Sequence, residues 1–154
     1  MSSLPPITGT MHAVQQPNAA GQTGPRQTYL GTARSLLCGV RPLADAGRDA
    51  ANALAFLAAH VAECALKAYL SRAGDDKPLK ASKIRHNLKA LWHRAHSEGL
   101  AIDANPPAWL LNLAELHDSP FFLRYSTGVN GLLLPAAEPM ATELAALVGL
   151  VAKQ

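Results

Sequence analysis

Cysteine, aromatic residues and charge are all scarce in this sequence, and each shortage excludes something. Two cysteines, Cys38 and Cys64, in 154 residues cannot build a disulfide framework. They form no Cys-x-x-Cys pair that would suggest zinc or redox chemistry. Each sits within an expected apolar helical face, where a free thiol serves as a small hydrophobe. Aromatic residues make up 5% of the chain and β-branched residues are few, which argues against a sheet-built core. Charged residues are only 16%, while 49% are hydrophobic, so most of the chain is too apolar to stay unfolded. No uninterrupted apolar run approaches the ~20 residues that span a bilayer. The N-terminus has no basic region followed by an apolar stretch, so no secretory signal is expected and the cytoplasm is the expected location. There is no Gly-rich phosphate loop following a strand.

What remains is rich in Ala and Leu, which lose little side-chain freedom in a helix. The expected fold class is all-α, an up-and-down bundle of about five helices. Residues 1–27 carry Pro5, Pro6, Pro17 and Pro25 with Gly9, Gly21 and Gly24. They lack an apolar period and read as a flexible tail before a bundle over residues 28–154. The first helix is expected from Thr28 to Val40, ended by Pro42. A long second helix runs from about Ala44 to Ala73. It bears two apolar stripes, Leu54, Leu57, Val61, Cys64 and Ala68 on one side and Phe56, Ala59, Leu66 and Leu70 on the other, which marks it as central. The third is expected from Ile84 to Glu98, with Leu88, Leu91, Trp92 and Ala95 facing the core. The fourth spans Ala108 to His117, and the last begins near Pro139. Between them, residues 118–135 form a connection of a length that is often functional.

Three short pieces carry a resemblance. They are Ala62-Glu63-Cys64-Ala65-Leu66-Lys67-Ala68-Tyr69-Leu70, Arg85-His86-Asn87-Leu88-Lys89-Ala90-Leu91 and Phe122-Leu123-Arg124-Tyr125-Ser126. In order and spacing they resemble the HEPN family of helical domains from prokaryotic toxin–antitoxin and defence systems, over roughly residues 44–152. The resemblance implies a helical bundle, often a homodimer, needing no metal or other cofactor. Active members are metal-independent ribonucleases marked by an Arg and a His separated by four to six residues. That pairing is absent here: Arg48 is followed by the distant His60, Arg85 by the adjacent His86 and then His93, and Arg124 by no His. The resemblance therefore implies a divergent, non-catalytic module that binds RNA or a cognate antitoxin-like protein. The alternative is a ribonuclease using an unconventional pair drawn from Arg85, His86 and His93.

The remaining candidates come from the residues themselves. Glu63 and Lys67 stand four apart in the favourable order for a helical ion pair. Glu63 lies between the apolar stripes, where a carboxylate needs partners. It is expected to anchor a structural polar cluster of Glu63, Lys67 and Arg124, with His86 as a further partner. His60 and Glu63, three apart, have the spacing of metal ligands inside a bundle, but too few other carboxylates converge and no metal is expected. From Lys77 to His96 the chain carries many basic residues and no acid. Projected on a helix, Arg85, Lys89, His93 and His96 share one stripe, with His86 beside them, the expected surface for an anionic partner, and Arg124 is a further expected binding residue.

Overall fold

The computed structural model describes residues 23–125, 128 and 131–154. These form five α-helices and, among the described residues, no strand. The up-and-down bundle expected from composition is what the chain builds. The expected tail lies, through residue 22, outside the described residues.

Helix α1 spans Pro25–Asp45. It begins three residues before the expected Thr28, because Pro25 has its φ already set for a first helical turn. It also runs through Pro42 instead of stopping there. A proline costs the helix one amide bond, but Leu43 and Ala44 beyond it pack against the core, and the Ala46 amide still donates to the Pro42 carbonyl at 3.1 Å. The chain then reverses at Gly47, whose φ of +72° favours glycine. A short 3₁₀ turn over Gly47–Ala50 leads into α2, Ala51–Leu70. The single long helix expected over 44–73 is thus divided by this turn.

Every residue from Val61 to Leu70 is buried, and α2 contacts α1, α3, α4 and α5. The span Gly47–Leu70 is long and apolar enough to cross a membrane by length and composition, but 78% of its apolar window is buried within the bundle. Cys64 is buried on this helix, and burial pushes its thiol up to about 11. Cys38, expected on an apolar face, is exposed instead, because α1 turns only its Leu30, Ala33 and Val40 face fully inward.

Helix α3, Leu88–Ser97, starts four residues later than expected, since Asn87 caps it by accepting the Ala90 amide at 2.9 Å. Its expected core residues Leu88, Leu91, Trp92 and Ala95 are all buried. Helix α4 occupies Ala108–His117 as read from sequence, and α5 spans Ala137–Ala152 with Pro139 in its first turn. The four apolar residues expected on the buried face of α5, Leu144, Leu147, Val148 and Val151, are buried.

Candidate functional site

The fully buried stretch of α2 carries two charges, and their partners define the site. Lys67 donates to Glu63 Oε1 at 2.6 Å, across one turn of the helix. Two imidazoles converge on the other oxygen: His117 Nε2 lies 2.6 Å from Oε2 and His86 Nδ1 lies 3.1 Å from it. An ionised carboxylate can only accept, so both facing ring nitrogens carry protons. Burial raises the Glu63 pKa, but hydrogen bonds from His117 and Lys67, the Lys67 charge and a further bond from His86 outweigh it and hold the carboxyl at about 2. The carboxylate is therefore held by three donors from three different segments.

Each partner is held by its own element. His86 precedes the Asn87 cap, so the start of α3 fixes where its ring can reach. His117 is the last residue of α4 and is 1% exposed. Its ring meets those of His86 and His60 edge-on, with centroids 5.8 and 6.5 Å away. The Lys67 ammonium lies 5.8 Å from the centre of the Tyr29 ring, a cation–π contact from α1. Tyr29 in turn donates to Asp76 at 3.1 Å, and burial followed by that bond raises its pKa to about 12. Beyond α4 the backbone returns, the Leu123 amide bonding the Leu116 carbonyl at 3.2 Å. Phe121, held at φ +63°, sets its ring edge-on to His86 at 6.1 Å. A left-handed aromatic residue carries strain, here offset by its place over the cluster.

Two buried imidazole nitrogens are left over. Nδ1 of His117 and Nδ1 of His60 are buried with no hydrogen-bond partner among the described residues. Burial lowers the pKa of His60, opposed by the Glu63 charge and reinforced by His117 and Arg124.

The structure brings Glu63, Lys67 and His86 together as the sequence suggested, but not Arg124. That side chain is exposed, lies 5.7 Å from the centre of the Phe121 ring, and has no hydrogen bond or ion pair with Glu63. The third partner is His117, which the sequence reading missed. Its signal was present: His117 falls four residues after Leu113 and seven after Leu110, on the buried face of α4.

Glu63, His86 and His117 offer three ligand atoms within 4.8 Å of one another, a two-His, one-carboxylate set. The donor types suit a transition-metal ion, but the charge does not favour one. Lys67 already neutralises the lone carboxylate, so a divalent ion would leave a buried site with a net charge near that of the bare ion.

The basic stripe is also rearranged. Arg85 and His86 lie in the turn before α3, not on the helix, and His86 gives its Nδ1 to Glu63. Arg85, Lys89, His93 and His96 are exposed. His96 Nδ1 donates to the Ile102 carbonyl at 2.9 Å, which anchors the chain leaving α3. Arg85, His86 and His93 thus form no shared hydrogen-bonded group. No family model, curated protein or solved structure matches this chain.

Proposed function

We propose that this chain is a non-catalytic HEPN-like helical module that binds RNA in a toxin–antitoxin or defence setting of the cytoplasm, as a homodimer. One observation carries the reading. Lys77, Lys83, Arg85 and Lys89 are all exposed, lie within one short segment, and take part in no ion pair. The chain has 11 acidic residues, and every one lies among the described residues, so this lack of partners is a property of the fold. Lys80, in the same segment, is instead paired with Asp76 at 3.1 Å. Unpaired cations in series suit successive phosphates, where released counterions supply the affinity.

The Glu63 cluster supports the non-catalytic half of the reading. A general base needs a free lone pair within reach of substrate. Here the Glu63 carboxylate is buried under three donors and the free nitrogen of His117 is buried, whereas half-buried His86 gives only its Nδ1 to Glu63 and keeps the lone pair on Nε2. The ribonuclease alternative would draw on Arg85, His93 and the Nε2 atom of His86. Incubating the purified chain with labelled single-stranded RNA tests both halves. The expected result is RNA that is bound and intact, with binding weakened in the Lys83→Ala/Arg85→Ala variant. Degraded RNA overturns the non-catalytic reading. Failure of the wild type to bind RNA overturns the RNA reading and leaves a protein ligand as the module's partner.

A further inference from the structure

The free cations in and before α3 each offer a nucleic acid one kind of contact. Lys83, Arg85 and Lys89 are exposed and carry donors but no side-chain acceptor, so they answer phosphate oxygens. His86 stands among them and differs. The turn that carries it is tight. The Ile84 and Arg85 amides donate to the Ala81 carbonyl at 3.0 and 2.9 Å, and the Asn87 amide donates to the Ile84 carbonyl at 3.1 Å. The ring is held on three sides, by Glu63 Oε2 at 3.1 Å and by the edge-on rings of His117 and Phe121.

The bond to Glu63 also fixes what the far edge of the ring presents. The ionised carboxylate only accepts, so the proton sits on Nδ1, and in the uncharged ring Nε2 is a bare lone pair. His86 Nε2 has no partner among the described residues, yet it is not one of the buried unpartnered atoms, which are His60 Nδ1, Asn112 Oδ1 and His117 Nδ1. It therefore reaches solvent, from a side chain that is 22% exposed. A fixed acceptor beside a row of donors has nothing to gain from phosphate, which has no proton to give. The sugar has one. A backbone laid along the cations brings a phosphate and a ribose past them at each nucleotide, and the 2′-hydroxyl is the donor that RNA has there and DNA lacks. Building on the RNA-binding reading, we infer that His86 Nε2 accepts a hydrogen bond from a ribose 2′-hydroxyl and makes this surface select RNA over DNA. Accepting that bond leaves the strand intact, because cleavage also needs a proton donor at the departing 5′ oxygen.

The full chain is titrated at about pH 8, where an ordinary imidazole is uncharged. The ligands are three single strands of one sequence: RNA, 2′-fluoro RNA, which keeps the ribose shape but cannot donate, and DNA. RNA is expected to bind about fivefold more tightly than the 2′-fluoro strand, the worth of one such hydrogen bond, and DNA no better than the 2′-fluoro strand. His86→Phe keeps a ring against His117 and Phe121 but removes the acceptor, and it should bind RNA and the 2′-fluoro strand alike. Nitrogen NMR of the unaltered chain reads the same atom without a substitution. The His86 Nε2 resonance should shift with RNA and stay in place with the 2′-fluoro strand. Equal binding of RNA and the 2′-fluoro strand, or an Nε2 resonance unmoved by RNA, would overturn the inference and leave RNA binding by the basic segment standing. Binding of no strand overturns that reading and the inference with it. An RNA preference that survives in His86→Phe means that another group reads the sugar, and RNA cleavage that His86→Phe abolishes means that Nε2 removes the proton outright. Either result contradicts the inference.

Discussion

At the scale of single residues, Glu63 ties α2 to the start of α3 and the end of α4. Its pKa, held at about 2 against an ordinary 4.5, sets a sign and a window. A depressed carboxyl stabilises the fold fully above its ordinary value and loses that stabilisation as pH falls toward the folded one, here from about 4.5 to about 2. The shift corresponds to on the order of 3 kcal/mol. His60, also depressed, adds to the loss below its ordinary 6.5, because the unfolded chain takes up the proton more readily. Urea melts across this range are expected to show stability falling with acid, and Glu63→Gln is expected to flatten the dependence below pH 4.5. At neutral pH Glu63→Gln should cost about 3–5 kcal/mol by leaving the Lys67 charge buried and unpaired, and adding Lys67→Met should recover much of it. An acid dependence unchanged in Glu63→Gln would show that other groups set it.

Arg124 gives a contrasting expectation. A guanidinium can bind a carboxylate such as Glu63 through two hydrogen bonds, but the Arg124 side chain is exposed over Phe121. Arg124→Ala and Glu63→Gln should therefore combine additively to within about 0.5 kcal/mol in a double-mutant cycle. A larger coupling would place the guanidinium on the carboxylate after all. Half of the cluster was legible in the sequence, because Glu63 and Lys67 share one helix and their spacing fixes their contact. His86 was legible as a candidate only, since a turn sets its direction. Leu110 and Leu113 mark the face of α4 that buries His117, but nothing in their spacing points its ring at Glu63.

At the scale of elements, composition and periodicity locate all five helices, and the errors fall at their ends. Pro42 was read as a stop from local chemistry, but packing of Leu43 and Ala44 against the core decides otherwise. Sequence puts the start of α3 at about Ile84, whereas the Asn87 side chain makes the cap three residues later. Two glycines in α1 separate propensity from packing. A Cβ at Gly31 meets nothing within 4 Å, so Gly31→Ala should stabilise by about 0.5–1 kcal/mol. A Cβ at Gly39 would come within 2.9 Å of Leu57 Cδ2 on α2, so Gly39→Ala should gain less, its propensity offset by displacement of that side chain. Thermal melts of the two variants check the order. A larger gain at Gly39 would mean that α1 and α2 are less closely apposed than the structure shows.

At the scale of the whole molecule, the chain sorts its charge. A carboxylate held by three donors lies in the core, unpaired cations lie in and before α3, and two carboxylates border the cavity that Trp92 and Trp109 line. Exposed Phe56 and Tyr125 border a common groove with Leu123, apolar surface consistent with a second copy in solution. Light scattering at micromolar concentration is expected to give twice the chain mass, and a monomer would contradict the proposed dimer. The basic segment was visible in sequence as a run without acids, but which of its charges are free was not, because ion pairs such as Lys80 with Asp76 and Arg94 with Glu98 form only in the fold.

The measurement that bears most directly on the proposed RNA-binding role is the salt dependence of affinity for single-stranded RNA. Each phosphate contact contributes about −0.7 to the slope of log affinity against log salt, so the four free cations predict a wild-type slope near −3. In Lys83→Ala/Arg85→Ala/Lys89→Ala that slope should shrink by about two units, with a matching loss of affinity at low salt and no change in thermal stability. A triple variant that binds RNA with the wild-type slope and affinity would contradict the account.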